Sequence, residues 1–374
     1  KFFPTDTLVT GPDIIFFWVA RMVMASYYFM NECPFHDVYF TSIVRDMKGR
    51  KMSKSLGNSP DPLDIIRDYG ADALRFTVIY LAPVGQDVRF SAEKTEMGRN
   101  FANKLWNASR FVLMNLGDAG DLDINTLAIS EKDSTIWERW ILSRLSNATE
   151  QVRRCLADGQ YKFNDAIRAA YDFIWSEFCD WYIEMSKPVL FGPDGPAKTN
   201  TRRILLKVLD TALRLLHPFM PFVTEEIWQK LPGAKGQLMN SAFPAFTSEL
   251  VNMPIEAEVA EVMETVRVVR NLRASATIAP SKKITLRVVA GGSKAPLIEQ
   301  HAAMIQTLTG SEKIELVPAK PSGHLVGLHN DTEICLNLAG LIDVPVEINR
   351  ISGELTKIEK ERLKIAAKLD DQGF

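Results

Sequence analysis

The sequence predicts a mostly α-helical chain in four parts: a mixed α/β stretch over residues 1–90, a helical bundle over 91–248, a small α/β module over 249–347, and the start of a long amphipathic helix over 348–374. Three observations carry this. Residues 37–44 alternate Val38, Phe40, Ser42 and Val44 against Tyr39, Thr41 and Ile43, the period of two that marks a strand. Long segments of helical spacing then follow one another with breaks such as Gly192-Pro193-Asp194-Gly195-Pro196, and helices of that length on short loops imply a bundle. Short β-rich runs at 284–289, 314–317 and 333–338 surround a helical segment near 295–308.

The chain of 374 residues, 46% hydrophobic and 24% charged, suffices for two or three domains with a substantial core. A formal net charge of −2 excludes a uniformly basic nucleic-acid binder, although local patches suffice for RNA phosphates. Cys33, Cys155, Cys179 and Cys335 lie far apart, with no C-x-x-C pair and no histidine at metal spacing. They read as reduced, mostly buried thiols of a cytoplasmic protein without a metal site. The apolar run over 14–30 is interrupted by Arg21 and is shorter than the ~20 residues of a membrane span, so a buried helix and no membrane are expected. The chain starts at Lys1 with no methionine or signal sequence and ends just after a charged helical pattern, and both ends read as cut from a longer polypeptide.

In order, Thr10-Gly11-Pro12-Asp13 opens the first helix, with Pro12 in its first turn. Gly11 permits close backbone approach; Asp13 at a helix N-terminus is a favourable dipole partner, a role that needs no ligand. The strand over 37–44 runs into a loop with Arg50, Lys51 and Lys54, the hydroxyls of Ser53 and Ser55, and the turn-formers Gly57 and Asn58. Such a loop suits a polyanion, since ammonium groups supply charge and hydroxyls and backbone N–H groups supply direction; a solvated basic loop is the plain alternative. Its place beyond the carboxyl end of a strand is where open α/β sheets hold ligands. Asp61 and Pro62 suit the N-cap and first position of a helix that Gly70 breaks, and 71–81 is another helix with Leu74, Val78 and Leu81 on one face.

Bundle helices are expected over 91–116, 134–156, 163–185, 199–216 and 222–231. His217, between Leu216 and Pro218, reads as a satisfied structural histidine. From Pro254 a helix carries Arg267, Arg270 and Arg273 toward Ser281-Lys282-Lys283, a cluster able to meet phosphates or simply a solvated helix end. Ile348, Ile351, Leu355 and Ile358, among Glu354, Lys357, Glu359 and Lys360, describe an amphipathic or coiled-coil helix.

Lys51-Met52-Ser53-Lys54-Ser55 resembles, letter for letter, the KMSKS signature of class I aminoacyl-tRNA synthetases. The flanks Gly49-Arg50, Leu56-Gly57-Asn58 and Gly70-Ala71-Asp72-Ala73-Leu74-Arg75 are similar to the branch that handles valine, isoleucine and leucine. Asn100-Phe101-Ala102-Asn103-Lys104-Leu105-Trp106-Asn107 and His217-Pro218-Phe219-Met220-Pro221-Phe222 resemble landmarks of that branch's anticodon-binding domain.

The resemblance implies that 1–90 is the C-terminal part of a Rossmann-like nucleotide-binding catalytic domain ending in a helical connector, that 91–248 is the anticodon-binding bundle, and that 348–374 begins a coiled-coil arm. It implies catalytic roles for Lys51 and Lys54, and ATP contacts for Gly11, Asp13, Met52, Ser53, Lys54 and Ser55, with Asp13 on the ribose hydroxyls and Mg²⁺ accompanying the nucleotide. Trp18 falls where the valine and isoleucine branches wall the amino-acid pocket, with a core aromatic as the plain alternative. Lys104, Arg110 and Phe111 fall where anticodon bases and phosphates are met, although Phe111 also suits the core. Thr41-Ser42 departs from the His-Gly or Thr-Gly pair often found in relatives, so no role is carried to either.

The arm, and the lack of a cysteine-rich zinc region, favour the valyl-tRNA synthetases; an isoleucyl fragment and a non-catalytic tRNA-binding module are the alternatives. The implied protein is a monomer that joins valine to ATP as valyl-adenylate and passes the acyl group to tRNA(Val). When the carboxylate attacks the α-phosphate, negative charge builds on phosphorus and on departing pyrophosphate, and a lysine that engages this charge most strongly in the transition state accelerates the step. A mobile loop can add such contacts after ATP has bound. None of His36, His217, His301, His324 and His329 lies in a HIGH-type motif, and no editing insert is present. The expected outcome is that this chain alone gives no valine-dependent ATP–pyrophosphate exchange; measurable exchange by the purified chain would overturn this.

Overall fold

The computed structural model describes residues 2–117, 122–292, 294–342 and 344–369. The chain forms two compact units, Lys1–Glu256 and Ala257–Phe374.

In the first unit, β1 (Thr5–Thr10) pairs in parallel with β2 (Phe35–Phe40), Thr7 lying opposite Asp37 and Thr10 opposite Phe40. Parallel neighbours need a crossover, supplied by a helical run of a 3₁₀ turn (Pro12–Ile14), a π turn (Ile15–Val19) and α1 (Ala20–Met30). This run was expected to be buried, and it is not: Phe16 is 87% and Tyr28 82% exposed, and only Val19 and Ser26 are buried. Hydrophobicity creates the drive to bury a helix, but burial needs a facing surface, and the described residues lay none over it. At 19 residues, Pro12–Met30 also meets the length and composition of a membrane span.

The strand expected over 37–44 is two pieces. After β2, Thr41 N still donates to Thr10 O (2.8 Å), but Ile43 O accepts from Val88 N (3.0 Å), and β3 (Val44–Arg45) pairs in parallel with β4 (Val88–Arg89). The alternation of side chains is continuous; the backbone changes partner within it. Beyond the loop, α2 (Pro62–Tyr69) starts with Pro62 at its first position and Asp61 as N-cap, accepting from Leu63 N at 2.8 Å. Ile65, Val88 and Phe90 form a small core with Val44, Met52 and Leu74 packed on it.

Next comes α3 (Ala71–Tyr80), followed by a bundle of α4 (Glu96–Asn115), α5 (Ile136–Leu156), α6 (Phe163–Asp172), α7 (Ile183–Leu190), α8 (Pro196–Leu216) and α9 (Pro221–Trp228). A capping box of Thr135 and Glu138 starts α5. The single helix expected over 163–185 is continuous but changes pitch, a π segment (Phe173–Tyr182) joining α6 to α7. Ile204, Leu205, Leu206, Val208, Leu209, Ala212 and Leu213 are fully buried, so α8 is the bundle's central helix, apolar on most of its circumference. His217 sits at its end with Nδ1 2.8 Å from Thr224 Oγ1, and burial lowers its pKa, which suits the structural role read from sequence.

Helix α3 is gripped at both ends. At its start, Asp72 accepts from Phe222 N (3.2 Å) and Val223 N (2.6 Å), capping α9, and Arg75 donates to Pro218 O (3.1 Å) and Phe219 O (3.3 Å). At its end, Asn164 Nδ2 donates to Ile79 O (3.0 Å) and Tyr80 O (2.6 Å). Between them α4 comes very close: a Cβ on Gly98 would lie 2.5 Å from Ala73 O, a distance no side chain tolerates.

The chain enters the second unit within α10 (Met253–Ser275), which leads to β5 (Ile284–Val289), α11 (Lys294–Gln300), α12 (Ala302–Thr309), β6 (Ser311–Leu316), β7 (His324–His329) and β8 (Thr332–Asn337). The sheet order is β6-β5-β8-β7, with β5 and β6 parallel and the other pairings antiparallel. Strand β7 had no strong signal in the sequence because Gly327 interrupts it; a Cβ there would lie 2.4 Å from Val268 Cγ1 of α10. Arg273, read as an RNA-facing or solvated cation, is instead buried and donates to Thr309 O, Ala279 O and Lys282 O, closing the turn after α10. The long exposed α13 (Val344–Leu369) follows; residues 370–374 of the expected arm lie outside the described residues. The cysteines are unpaired, but Cys335 alone of the four is fully buried and the others are half-buried, a correction to the sequence reading.

Replacing Asp72 by alanine should strip the cap from α9, costing about 1–2 kcal/mol. For a unit of this size the melting temperature should fall by about 2–8 °C, read by thermal denaturation; an unchanged melting temperature would contradict the capping role.

Candidate functional site

Residues 45–51 form a tight hairpin: Arg45 bridges Lys51, Asp46 N donates to Arg50 O (2.8 Å) and Met52 N to Val44 O (3.0 Å). Its hub is Asp46, a residue that sequence reasoning missed. The Asp46 carboxylate is nearly buried and accepts from Lys48 N (3.0 Å), Arg50 N (2.9 Å), Arg50 Nε (2.8 Å) and Asn58 Nδ2 (3.0 Å). The Asn58 amide, and then the Arg50 backbone and guanidinium, hold the carboxyl far below the ordinary carboxylate range against the opposing pull of burial. Asn58 completes the frame, accepting from Ser53 N (2.9 Å) and donating to Lys51 O (3.3 Å). The signal for Asp46 was an Asp three residues before Gly49 in a turn, too common a pattern to single out.

From this frame the signature residues project. Ser53 Oγ accepts from Leu56 N (3.3 Å) and lies 3.2 Å from Ser55 Oγ, tightening the turn on which Lys54 stands exposed. Lys51 Nζ donates to Asp13 Oδ2 at 2.7 Å, so the fold joins two residues 38 positions apart that the sequence had nominated separately. The hydrogen bond from Lys51 lowers the Asp13 pKa. Gly11 makes room for this carboxylate: a Cβ there would sit 2.6 Å from Asp13 Oδ1. Met52 lies deeper, against the small core. A cavity of 420 Å³ opens beside the hairpin, lined by Ser42, Val44, Lys51, Met52, Ile65 and Phe90 among others.

Trp18 lies on the π turn beyond Asp13, 57% exposed, with the Arg21 guanidinium 5.8 Å from its ring centre; it is not a core aromatic of the described residues. π turns of this kind widen a helix locally and recur at functional sites.

On α4, Lys104 and Phe111 are seven residues apart and share a face, whereas Arg110 is turned about 120° away. Lys104 Nζ pairs with Asp180 Oδ1 (2.5 Å) and lies 3.8 Å from the centre of the Trp175 ring. Phe111 is half-buried with Lys187 Nζ 5.8 Å from its ring centre, and Arg110 is exposed. The π segment after α6 thus supplies both partners of Lys104. No group of three or more His, Cys, Asp or Glu suited to a metal ion occurs among the described residues.

Residues 1–91 match the family described as tRNA synthetases class I (I, L, M and V), and 138–290 match the anticodon-binding domain of tRNA ligase. The fold is similar to the leucyl enzyme in a ternary LeuRS-tRNA-LeuAMS complex from Agrobacterium radiobacter K84, with a TM-score of 0.54 and 17% identity, covering 87% of this chain and 36% of that one. The chain belongs to the class I aminoacyl-tRNA synthetases. Within that class it is similar along its whole length to valine-tRNA ligases, at 42% identity to that of Clostridium acetobutylicum and 44% to that of Geobacillus stearothermophilus. It spans 42% of the length of each.

Because Asp46 is held ionised chiefly by Asn58, a carboxyl titration followed by NMR should find it charged well below the ordinary 3.8. The stability it contributes is therefore present above 3.8 and lost as the pH falls through the depressed folded value. Asn58→Ala should raise the midpoint toward 3.8; an unmoved midpoint would exclude Asn58 as the main cause.

Proposed function

We propose that the chain is part of a valine-tRNA ligase that activates valine with ATP and transfers it from valyl-adenylate to tRNA(Val). The observation that carries this is the exposed Lys54 on a rigidly framed turn, next to a hairpin whose Lys51 meets Asp13 at 2.7 Å. Lys54 has no ion-pair partner among the described residues, so its charge is available to a polyphosphate. Asp13, ionised, accepts from the ribose hydroxyls, with Gly11 leaving the space. Lys51, on an exposed and easily exchanged pair, either steadies Asp13 or turns to phosphate. Ser53 and Ser55 shape the turn that presents Lys54, Met52 ties the loop to the core beneath it, and Trp18 borders the amino-acid pocket. Mg²⁺ accompanies the ATP phosphates, and no step is assigned to it.

Residues 1–90 serve as the C-terminal part of the catalytic domain, 91–248 as the anticodon-binding bundle, 249–347 as an α/β module and 348–374 as the beginning of the arm. Arg110 and Phe111 meet the anticodon, and Lys104 exchanges Asp180 for a phosphate when RNA binds. The protein works as a cytoplasmic monomer. The apolar Pro12–Met30 run is a crossover between two strands of one sheet, tied to it at both ends, which argues against a span through a bilayer.

In the complete polypeptide carrying this chain, Lys54→Ala should lower the turnover of valine-dependent ATP–pyrophosphate exchange by about 10²–10³-fold, with the KM for valine little changed. Exchange at the unsubstituted rate would refute the assignment.

A further inference from the structure

The turn between α5 and α6 carries a tyrosine. Tyr161 has φ +46, a left-handed conformation that residues with side chains seldom adopt. It is held there by a loop closed on itself, with Gln160 N donating to Ala157 O (3.0 Å) and Lys162 N to Cys155 O (3.0 Å). The side chain leaves the bundle altogether. Its hydroxyl lies 2.7 Å from Thr7 Oγ1 on β1 and donates to Asp37 Oδ2 on β2 at 2.8 Å. Thr7 and Asp37 are register partners, so one oxygen closes a bridge across the parallel pair. The Tyr39 ring of β2 packs against Tyr161 (5.7 Å between centroids) and edge-on against Phe163 (5.4 Å), so the contact has an apolar base beneath its polar tip.

An isolated pair of short strands has little stability of its own and takes its orientation from whatever it is fastened to. Strand β1 delivers Gly11 and Asp13; β2 leads through residues 41–43 to the hairpin that bears Lys51 and to the turn beyond it that bears Lys54. We infer that Tyr161 is a positioning residue: it fixes the strand pair that carries the nucleotide-facing groups at a set angle to the helical bundle, and so couples RNA held on the bundle to the site where the acyl group is transferred. A local strain kept at a turn whose side chain reaches a different structural layer is the pattern expected of a contact maintained for geometry. The inference rests on the proposed ligase reading for its consequence, and on the distances alone for its structural part.

The test is Tyr161→Phe, which keeps the ring and the backbone conformation and removes only the hydroxyl. In the complete polypeptide, aminoacylation of tRNA should fall about fivefold to tenfold in kcat, as expected for a small misplacement of two reacting centres, while tRNA-independent ATP–pyrophosphate exchange stays within about twofold. Adding Thr7→Val to Tyr161→Phe should cost no more than Tyr161→Phe alone, because both remove one bridge. In this chain itself, hydrogen–deuterium exchange should speed up at 5–10 and 35–40 and remain unchanged in α8. Unchanged aminoacylation, or a parallel loss of exchange and aminoacylation, would overturn the positioning role. If the unsubstituted polypeptide performs neither reaction, the ligase reading is what fails, and unchanged deuterium uptake at the strands would separately sink the bridge.

Discussion

The grip on α3 is the constraint on which the first unit depends. That helix follows α2, which starts directly beyond the basic loop, and its two ends are bonded to different parts of the bundle. Asp72 satisfies two N–H groups at the start of α9 that would otherwise lack partners, while Asn164 takes up the last carbonyls of α3 itself. Burial raises the Asp72 pKa even though two N–H groups and Arg75 pull the other way, which shows how far the carboxylate has been taken out of water. With Gly98 admitting the backbone of Ala73, α3 and α4 are held at close range. Through Leu74, α3 also packs on the small core that Val44 and Met52 join, which gives the loop its base.

The loop divides its work between residues that hold and residues that project. Asp46 and Asn58 hold: they are partly or largely buried and engaged several times over. Lys54 and Ser55 project, and are exposed. Lys51 stands between, paired with Asp13 in an exposed salt bridge whose small net worth makes it easy to trade for a ligand. The same division recurs on α4, where Lys104 is tied to Asp180 and Trp175 while Arg110 is exposed.

Much of the helical architecture was legible because its signals are local. Asp61 and Pro62 cap and open α2, Gly70 breaks it, and the period of α8 marks a buried helix, all through interactions within a few residues. The reading failed where the deciding contact was distant. The alternation over 37–44 continued through a change of strand partner that only Thr10 and Val88 reveal. Arg273 had the look of a surface cation until three carbonyls from other segments were found around it. The apolar helix Pro12–Met30 had the composition of a core element and lies exposed, since composition does not say what will face it.

For the site, the sequence by itself determined the chemistry on offer: the spacing of Lys51, Ser53, Lys54 and Ser55, the acid at Asp13, and the glycine that makes room beside it. Spacing and side-chain type are properties of the covalent chain, and they survive without a fold. Only the tertiary structure decided that Asp13 faces Lys51, that Asp46 carries the hairpin, and that Tyr161 reaches from a bundle turn to the strand pair. These are contacts between residues as far as 154 positions apart, whose distance is set by how every intervening helix packs, and no local pattern encodes that sum.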